Sequence, residues 1–239
     1  MKKRRLDEYL IANGYVKNKP EAFIKVTEGA VFINGQKAIS PAQMILPQDI
    51  IKVREGKKYV GRGALKLEGA VKIFQPSISG KIGLDIGSAT GGFTEILLQN
   101  GAVKVYAVDT AVGKLALKLR EDPRVVVMEN TDIRKIEKLP EEPEIVSIDV
   151  SLISLRNILP SVKRLAPHAE TIALFKPQYE TREMSILKHG VIKNDTDREK
   201  LLADFENWLK ENSWTLMNKC ESPIRGDKGN TEYLFYIKS

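Results

Sequence analysis

The sequence predicts an α/β fold built on an open, largely parallel sheet, preceded by a small α+β unit. Three observations lead to this. Residues 82–95 run from an apolar strand ending on an acid, through a turn of small residues, into an apolar-periodic helix. Two further apolar strands follow, 103–109 ending at Asp109 and 125–128 leading to Asp132. Before residue 60, short helical and extended patterns alternate around Asn and Gly turns.

In the first unit, Leu6, Tyr9, Leu10 and Ile11 fall at helical spacing before the stop at Asn13-Gly14. Pro20, Ala22, Phe23, Ile24 and Val26 give a second short helix closing at Glu28-Gly29. Val31-Phe32-Ile33 runs into the hairpin pair Asn34-Gly35, and residues 49–53 read as another strand. A unit of this size has a marginal core. The polar stretch Glu55–Val60 reads as a linker, which puts the domain boundary between residues 1–58 and 59–239.

Charge separates the two parts. Residues 1–60 hold 12 Lys and Arg against 6 Asp and Glu, and the rest holds 26 against 25, so nearly all of the net +7 is N-terminal. A basic segment on a near-neutral body is the footprint of a polyanionic partner. With 239 residues, 42% of them apolar, the chain can bury a substantial core. The single cysteine, Cys220, excludes an intrachain disulfide framework. No signal-like apolar segment follows the basic start and no run of 18 uncharged apolar residues occurs, so a cytoplasmic protein is expected.

The turn after residue 86 is the candidate ligand site. Gly87, Gly91 and Gly92 permit positive φ and close approach of a ligand to the backbone. A dinucleotide fingerprint wants glycine at the first, third and sixth turn positions, where this chain has Gly87, Ala89 and Gly92, so NAD fits less well. Asp109 stands where a strand-end acid accepts hydrogen bonds from ribose hydroxyls.

Acids at successive strand ends in this order resemble the class I (Rossmann-like) S-adenosylmethionine-dependent methyltransferases. The resemblance implies that Asp85 and Gly87, with Ser88, Thr90, Gly91, Gly92 and Phe93, receive the methionine part of S-adenosyl-L-methionine. It gives Asp109 the ribose and Asp132 the adenine. The first unit resembles the S-four RNA-binding domain in Arg5-Leu6-Asp7, Leu10, Gly14, Ala22, Gly29-Ala30-Val31, Asn34-Gly35, Pro41 and Asp49. That likeness implies RNA contacts from Arg4, Arg5, Lys17, Lys19 and Lys25. Lys19 stands where the family carries arginine, which keeps the charge but loses the planar fork.

The acceptor is read from the later strands. Residues 147–152, Ser-Ile-Asp-Val-Ser-Leu, replace the Asn/Asp-Pro-Pro-Tyr/Phe segment of base-amine methyltransferases, and Cys220 has no nucleophile motif around it. The chain instead offers Lys66, Asp149, Lys176 and Glu232, which an open sheet carries to one rim. Lys, Asp, Lys, Glu in this order resembles the tetrad of FtsJ-type ribose 2′-O-methyltransferases. The words around them, 149–155, Lys176-Pro177-Gln178-Tyr179-Glu180, 222–226 and 229–233, together with the N-terminal unit, resemble the TlyA family. Its members are named haemolysins and act as ribosomal RNA ribose methyltransferases. The resemblance implies a ribosomal RNA or ribosomal-subunit partner and no membrane.

The chemistry is coherent in itself. A ribose hydroxyl must lose its proton as the methyl arrives, and a neutral lysine amine accepts it. Lys176 is the candidate base, with Lys66 supplying a like charge and orienting the acceptor. Asp149 holds the Lys176 amine and Glu232 steadies the cluster. Two readings compete: a membrane-active haemolysin, for which the chain lacks a spanning or convincing amphipathic segment, and an RNA-binding protein that keeps the fold without catalysis. His168 and His189 sit in loop-like contexts with no ligand cluster, so no metal is expected. Asp195-Thr196-Asp197-Arg198 is expected to cap a helix whose Leu201, Leu202, Phe205, Trp208 and Leu209 share one apolar face.

Overall fold

The computed structural model describes residues 3–27, 29–54 and 59–239. The chain divides into two compact units, Met1–Lys58 and Tyr59–Ser239. Residues 55–58 of the expected linker lie outside the described residues, as does Glu28.

The first unit runs β1 (Arg4–Arg5), α1 (Leu6–Ala12), α2 (Lys19–Thr27), β2 (Val31–Ile33), β3 (Gln36–Lys37), β4 (Met44–Ile45) and β5 (Ile51–Val53). Strand β2 is central, antiparallel to both β3 and β5, while β1 pairs with β4. Asn34 and Gly35 both take positive φ, 50° and 84°, as the tight β2–β3 hairpin demands. The Asn34 amide also donates to the Asp49 carboxylate at 2.9 Å and accepts from the Ile50 N–H at 2.8 Å, tying the turn to β5. Leu6, Leu10, Ala22, Val26 and Val31 form the small core.

The second unit runs α3 (Gly63–Phe74), β6 (Ile82–Ile86), α4 (Gly92–Gln99), β7 (Lys104–Val108), α5 (Leu117–Arg120), β8 (Val125–Met128), β9 (Ile145–Ile148), α6 (Leu159–Leu165), β10 (Glu170–Phe175) and α7 (Pro177–Glu180). A short hairpin, β11 (Leu187–Lys188) with β12 (Val191–Ile192), precedes α8 (Asp195–Glu211), β13 (Thr215–Glu221) and β14 (Tyr233–Lys238). The sheet order is β13-β14-β10-β9-β6-β7-β8. Strands β6 to β10 are parallel, and β14 runs antiparallel between β10 and β13.

Alternation along the strands builds two cores. Leu84, Ile86, Val146 and Ile148 face α6 and α8, where Leu202, Phe205 and Leu209 are buried. Phe175, Phe205 and Phe235 meet there with ring centroids 4.9–5.4 Å apart. On the other face α3 and α4 bury Leu67, Ala70, Ile96 and Leu97 against Val105, Ile172 and Leu234. The cap of α8 differs from expectation: the Asn194 side chain accepts from the Thr196 N–H, and Asp195 is already the first helical residue.

Topology concentrates the functional positions. Chain order reverses between β6 and β9, and a ligand crevice opens above the carboxyl ends of strands at such a point. Because β14 is antiparallel, its start lies beside the end of β10, Tyr233 opposite Phe175. Glu232 therefore reaches the same rim as Asp149 and Lys176.

Candidate active site

The turn after β6 is shaped by what surrounds it. Gly87 has φ 83°, and a Cβ there would lie 2.4 Å from the Asp149 carbonyl oxygen, so only glycine lets β6 and β9 close on each other. Gly92 packs the start of α4 against α3, where a Cβ would come 2.7 Å from the Ala64 nitrogen.

Asp85 departs from expectation. It is fully buried and lines neither cavity at the rim. Its carboxylate accepts from Thr94 Oγ1 at 2.6 Å and Ser147 Oγ at 2.9 Å, which fastens β6 to α4 and β9 beneath the turn. The physical reason is register: Gly83 and Asp85 share a face, and Gly83 abuts Leu97 of α4, so Asp85 points at the same helix. Burial raises its pKa to about 6 against these hydrogen bonds. Its native form therefore binds a proton more tightly than the unfolded chain, and the resulting stability is full below the ordinary value near 3.8 and is lost as pH rises through about 6. Relative to Asp85→Asn, the wild-type chain is expected to lose about 2 kcal/mol of stability between pH 4 and pH 7. Paired thermal melts across that range check this, and parallel curves would show that Asp85 carries no such shift.

Gly91 also stays out of both cavities. At φ 93° it precedes α4, and a Cβ would strike the Leu119 methyl at 2.2 Å. Its role is to let the turn meet α5. Ser88, Thr90, Gly92 and Phe93 line the larger cavity, of about 660 Å³, and Gly87 lines both.

The second cavity, of about 520 Å³, opens on the other side of the same turn. Asp109 stands at its edge, its carboxylate fixed by the backbone N–H groups of Ala89 at 2.8 Å and Ala111 at 2.7 Å. Asp132 lies further along, gripped by Arg134 at 2.6 Å, which holds its carboxyl down at about 2. Ile133, Val150 and Ile158 give the cavity apolar walls. A fixed carboxylate beside a glycine turn, followed by an apolar slot with a polar rim, fits a ribose and a planar base. Ligand affinity at this end is expected to fall about tenfold to a hundredfold in Asp109→Ala, the worth of hydrogen bonds to a charged group, when titrated calorimetrically with S-adenosylmethionine. Unchanged affinity would remove Asp109 from the ligand's contacts.

The larger cavity brings together all four charged residues singled out in the sequence. Lys66, from the second turn of α3, donates to Glu232 Oε2 at 2.6 Å, and the two side chains are only 11% and 3% exposed. Lys176, at the end of β10, meets Asp149 Oδ1 at 2.6 Å and donates to Ser151 Oγ at 3.0 Å. The close approach of Gly226 leaves no room for a side chain beside Glu232, since a Cβ there would sit 2.4 Å from Oε1. Two ion pairs, one buried and one partly exposed at Asp149, thus face one space, next to the wall that Gly87, Ala89 and Asp149 share with the second cavity.

Several supports escape sequence reasoning. Glu180 ends α7 and is buried, accepting from Ser154 Oγ at 2.6 Å, the Leu155 N–H at 2.6 Å and Arg156 at 2.7 Å. Burial raises its carboxyl above the ordinary value. It fastens the segment after β9 to the segment after β10, which carry Asp149 and Lys176. Asn230 clips the β11–β12 hairpin, donating to the Gly190 carbonyl and accepting from the Ile192 N–H. The only sequence hint for either is its place within the words around Lys176 and Glu232.

In the first unit Arg4, Lys17 and Lys19 are exposed and Lys25 is partly buried. Arg5 is partly exposed, and its guanidinium forks onto the buried Asp7 at 3.0 and 2.7 Å. Cys220 is partly buried on the mostly exposed edge strand β13, and burial raises its thiol. His168 and His189 are exposed, and among the described residues no group of His, Cys, Asp and Glu has the arrangement of a metal site.

Residues 59–239 match the FtsJ-like methyltransferase family. The chain belongs to that family. Within it, the full chain follows the TlyA/haemolysin A relatives. It is 41% identical over 237 residues to Hemolysin A of Brachyspira hyodysenteriae, covering 98% of this chain and 99% of that one. It is 33% identical over 243 residues to the 16S/23S rRNA (cytidine-2′-O)-methyltransferase TlyA of Mycobacterium tuberculosis, covering 100% and 91%. A haemolysin-named solved structure from Streptococcus thermophilus superposes with a TM-score of 0.75 at 35% identity, covering 100% of this chain and 89% of that one. The FtsJ-like fold carries S-adenosyl-L-methionine as methyl donor, and the glycine turn, Asp109 and the apolar slot are the residues here that fit it. No helix among the described residues is long and apolar enough to cross a membrane.

Proposed function

We infer that this protein transfers a methyl group from S-adenosylmethionine to a ribose 2′-hydroxyl of ribosomal RNA. The observation that carries this reading is the convergence of Lys176–Asp149 and Lys66–Glu232 on one cavity beside the glycine turn. When bound, S-adenosylmethionine supplies a sulfonium methyl, which the 2′-oxygen accepts as the carbon–sulfur bond breaks. Lys176 in its neutral form takes the hydroxyl proton at Nζ. Asp149 holds that amine toward the acceptor. Lys66, anchored by Glu232, presents an ammonium that orients the acceptor oxygen. Gly87, Ser88, Thr90, Gly92 and Phe93 hold the methionine end, Asp109 the ribose and Asp132 the adenine edge.

The first unit is read as an S-four-type RNA-docking domain, with Arg4, Lys17, Lys19 and Lys25 as its phosphate contacts. Its excess positive charge supports this. Replacing Lys17, Lys19 and Lys25 together by Ala is expected to weaken RNA binding and to reduce the slope of log affinity against log salt by about 2 to 3, one unit per lost contact. A salt slope identical to wild type would place the RNA elsewhere. A ribosomal RNA substrate supports a cytoplasmic protein with ribosomal subunits as its partners.

The deciding experiment incubates ribosomal subunits and free ribosomal RNA with methyl-labelled S-adenosylmethionine and digests the RNA to nucleosides. Label is expected on a ribose, and the name of the Mycobacterium tuberculosis relative makes cytidine the first nucleoside to examine. Label on a base would overturn the assignment. Leakage of dye from liposomes, undiminished by Lys176→Ala, would favour membrane activity instead.

A further inference from the structure

The Lys176 amine has a second partner that the proposed mechanism does not use. Its nitrogen is bonded to Cε and has three remaining tetrahedral directions. One meets Asp149 Oδ1 at 2.6 Å, and a second meets Ser151 Oγ at 3.0 Å. Among the described residues no other hydrogen bond holds the amine, which lines the larger cavity with the Tyr179 ring centroid 6.0 Å away, and the third direction is assigned to that cavity. A neutral amine has two N–H bonds and one lone pair. With both N–H bonds held, the lone pair takes the remaining direction.

We propose that Ser151 is a positioning residue for the methyl transfer, which with Asp149 holds both N–H bonds of the neutral Lys176 amine so that its lone pair faces the acceptor hydroxyl. This rests on the reading of Lys176 as the base. Asp149 alone leaves the amine free to rotate about its Cε–Nζ bond, so that an N–H points at the acceptor in part of the population. The Ser151 hydroxyl removes that freedom. Its own position is fixed from both ends: Asp149 lies two residues before it on the end of β9, and Ser154 and Leu155 just after it are hydrogen-bonded to Glu180 of α7. The same short helix follows Lys176 directly, so the donor and its second acceptor are carried by two segments clamped to each other. Ser151 is exposed at the cavity lip, so its removal leaves the core untouched.

The test uses the full chain, ribosomal subunits and S-adenosylmethionine, with Ser151→Ala and Ser151→Thr. Ser151→Ala is expected to lower kcat about tenfold to a hundredfold, the cost of misorienting a reacting group. Its melting temperature and its KM for the subunits should match wild type, with S-adenosylmethionine held at saturation because Ser151 also borders the second cavity. Ser151→Thr, which keeps the hydroxyl, should recover most of kcat. The proposal is overturned if Ser151→Ala keeps wild-type kcat, if Ser151→Thr is as slow as Ser151→Ala, or if the defect lies wholly in KM for the subunits. Failure of the underlying reading looks different: the wild-type protein itself would label a base, or Lys176→Ala would stay active.

Discussion

Lys176→Ala is expected to lower kcat for ribose methylation by about 10²–10⁴-fold, the usual contribution of a general base, with S-adenosylmethionine affinity essentially unchanged. The separation follows from geometry, since Lys176 lines the larger cavity and not the one edged by Asp109 and Asp132. Loss of the amine also leaves Asp149 without its 2.6 Å partner, but that carboxylate is partly exposed and water replaces the lysine. The fold should therefore survive, and a melting curve accompanies the kinetics. Lys176→Arg is the more searching variant. Arginine keeps a positive charge within reach of Asp149 yet does not give up its proton in proteins, so it cannot act as a base. A purely electrostatic role predicts substantial activity in Lys176→Arg, whereas a proton-accepting role predicts that it is as inactive as Lys176→Ala. Single-turnover methylation with pre-bound subunits distinguishes the two.

How much of this was readable from the chain depends on the range of the interaction involved. The β6 turn was legible because a strand, three closely spaced glycines and a helix start are all local signals, and the strands ending before Asp109 and Asp132 showed themselves by apolar runs. Asp85 was misread because an acid near a strand end looks the same whether it faces a cavity or a neighbouring helix. Only the period of two along β6, which sets Asp85 on the face of Gly83 and Leu97, decides the matter. The partner of Arg5 was equally hidden: nothing in the sequence shows that Asp7, two residues on, is buried and forks with the guanidinium. The four charged residues could be picked out by the words around them, but their pairing could not. Lys66 and Glu232 lie 166 positions apart, and they meet only because β14 is inserted antiparallel beside β10. Glu180 and Asn230 do their work by closing loops on each other, for which no short-range pattern exists.

The Lys66–Glu232 pair lets folding and catalysis be separated. Both side chains are nearly out of solvent, and removing one leaves the other as an unpaired buried charge. Glu232→Ala is accordingly expected to destabilise the second unit by about 3–5 kcal/mol, read as a drop in the midpoint of chemical denaturation. That loss is not the net worth of the pair, because bringing both charges out of water costs several kcal/mol per ion and offsets their attraction. An apolar replacement of similar volume, Lys66→Met with Glu232→Leu, removes both terms together. The double variant should regain most or all of the stability lost by Glu232→Ala, yet methylation should remain abolished, since no ammonium then faces the acceptor. Recovery of stability with recovery of activity would make the pair a purely structural strut, and the acceptor would have to be oriented by other groups. Continued instability would instead mean that the tight approach of Gly226 to the Glu232 carboxylate, rather than the charge pair, dictates what that position tolerates. A stable but inactive double variant is the result that ties this buried pair to the chemistry, because natural chains keep such pairs at a cost that packing alone does not justify.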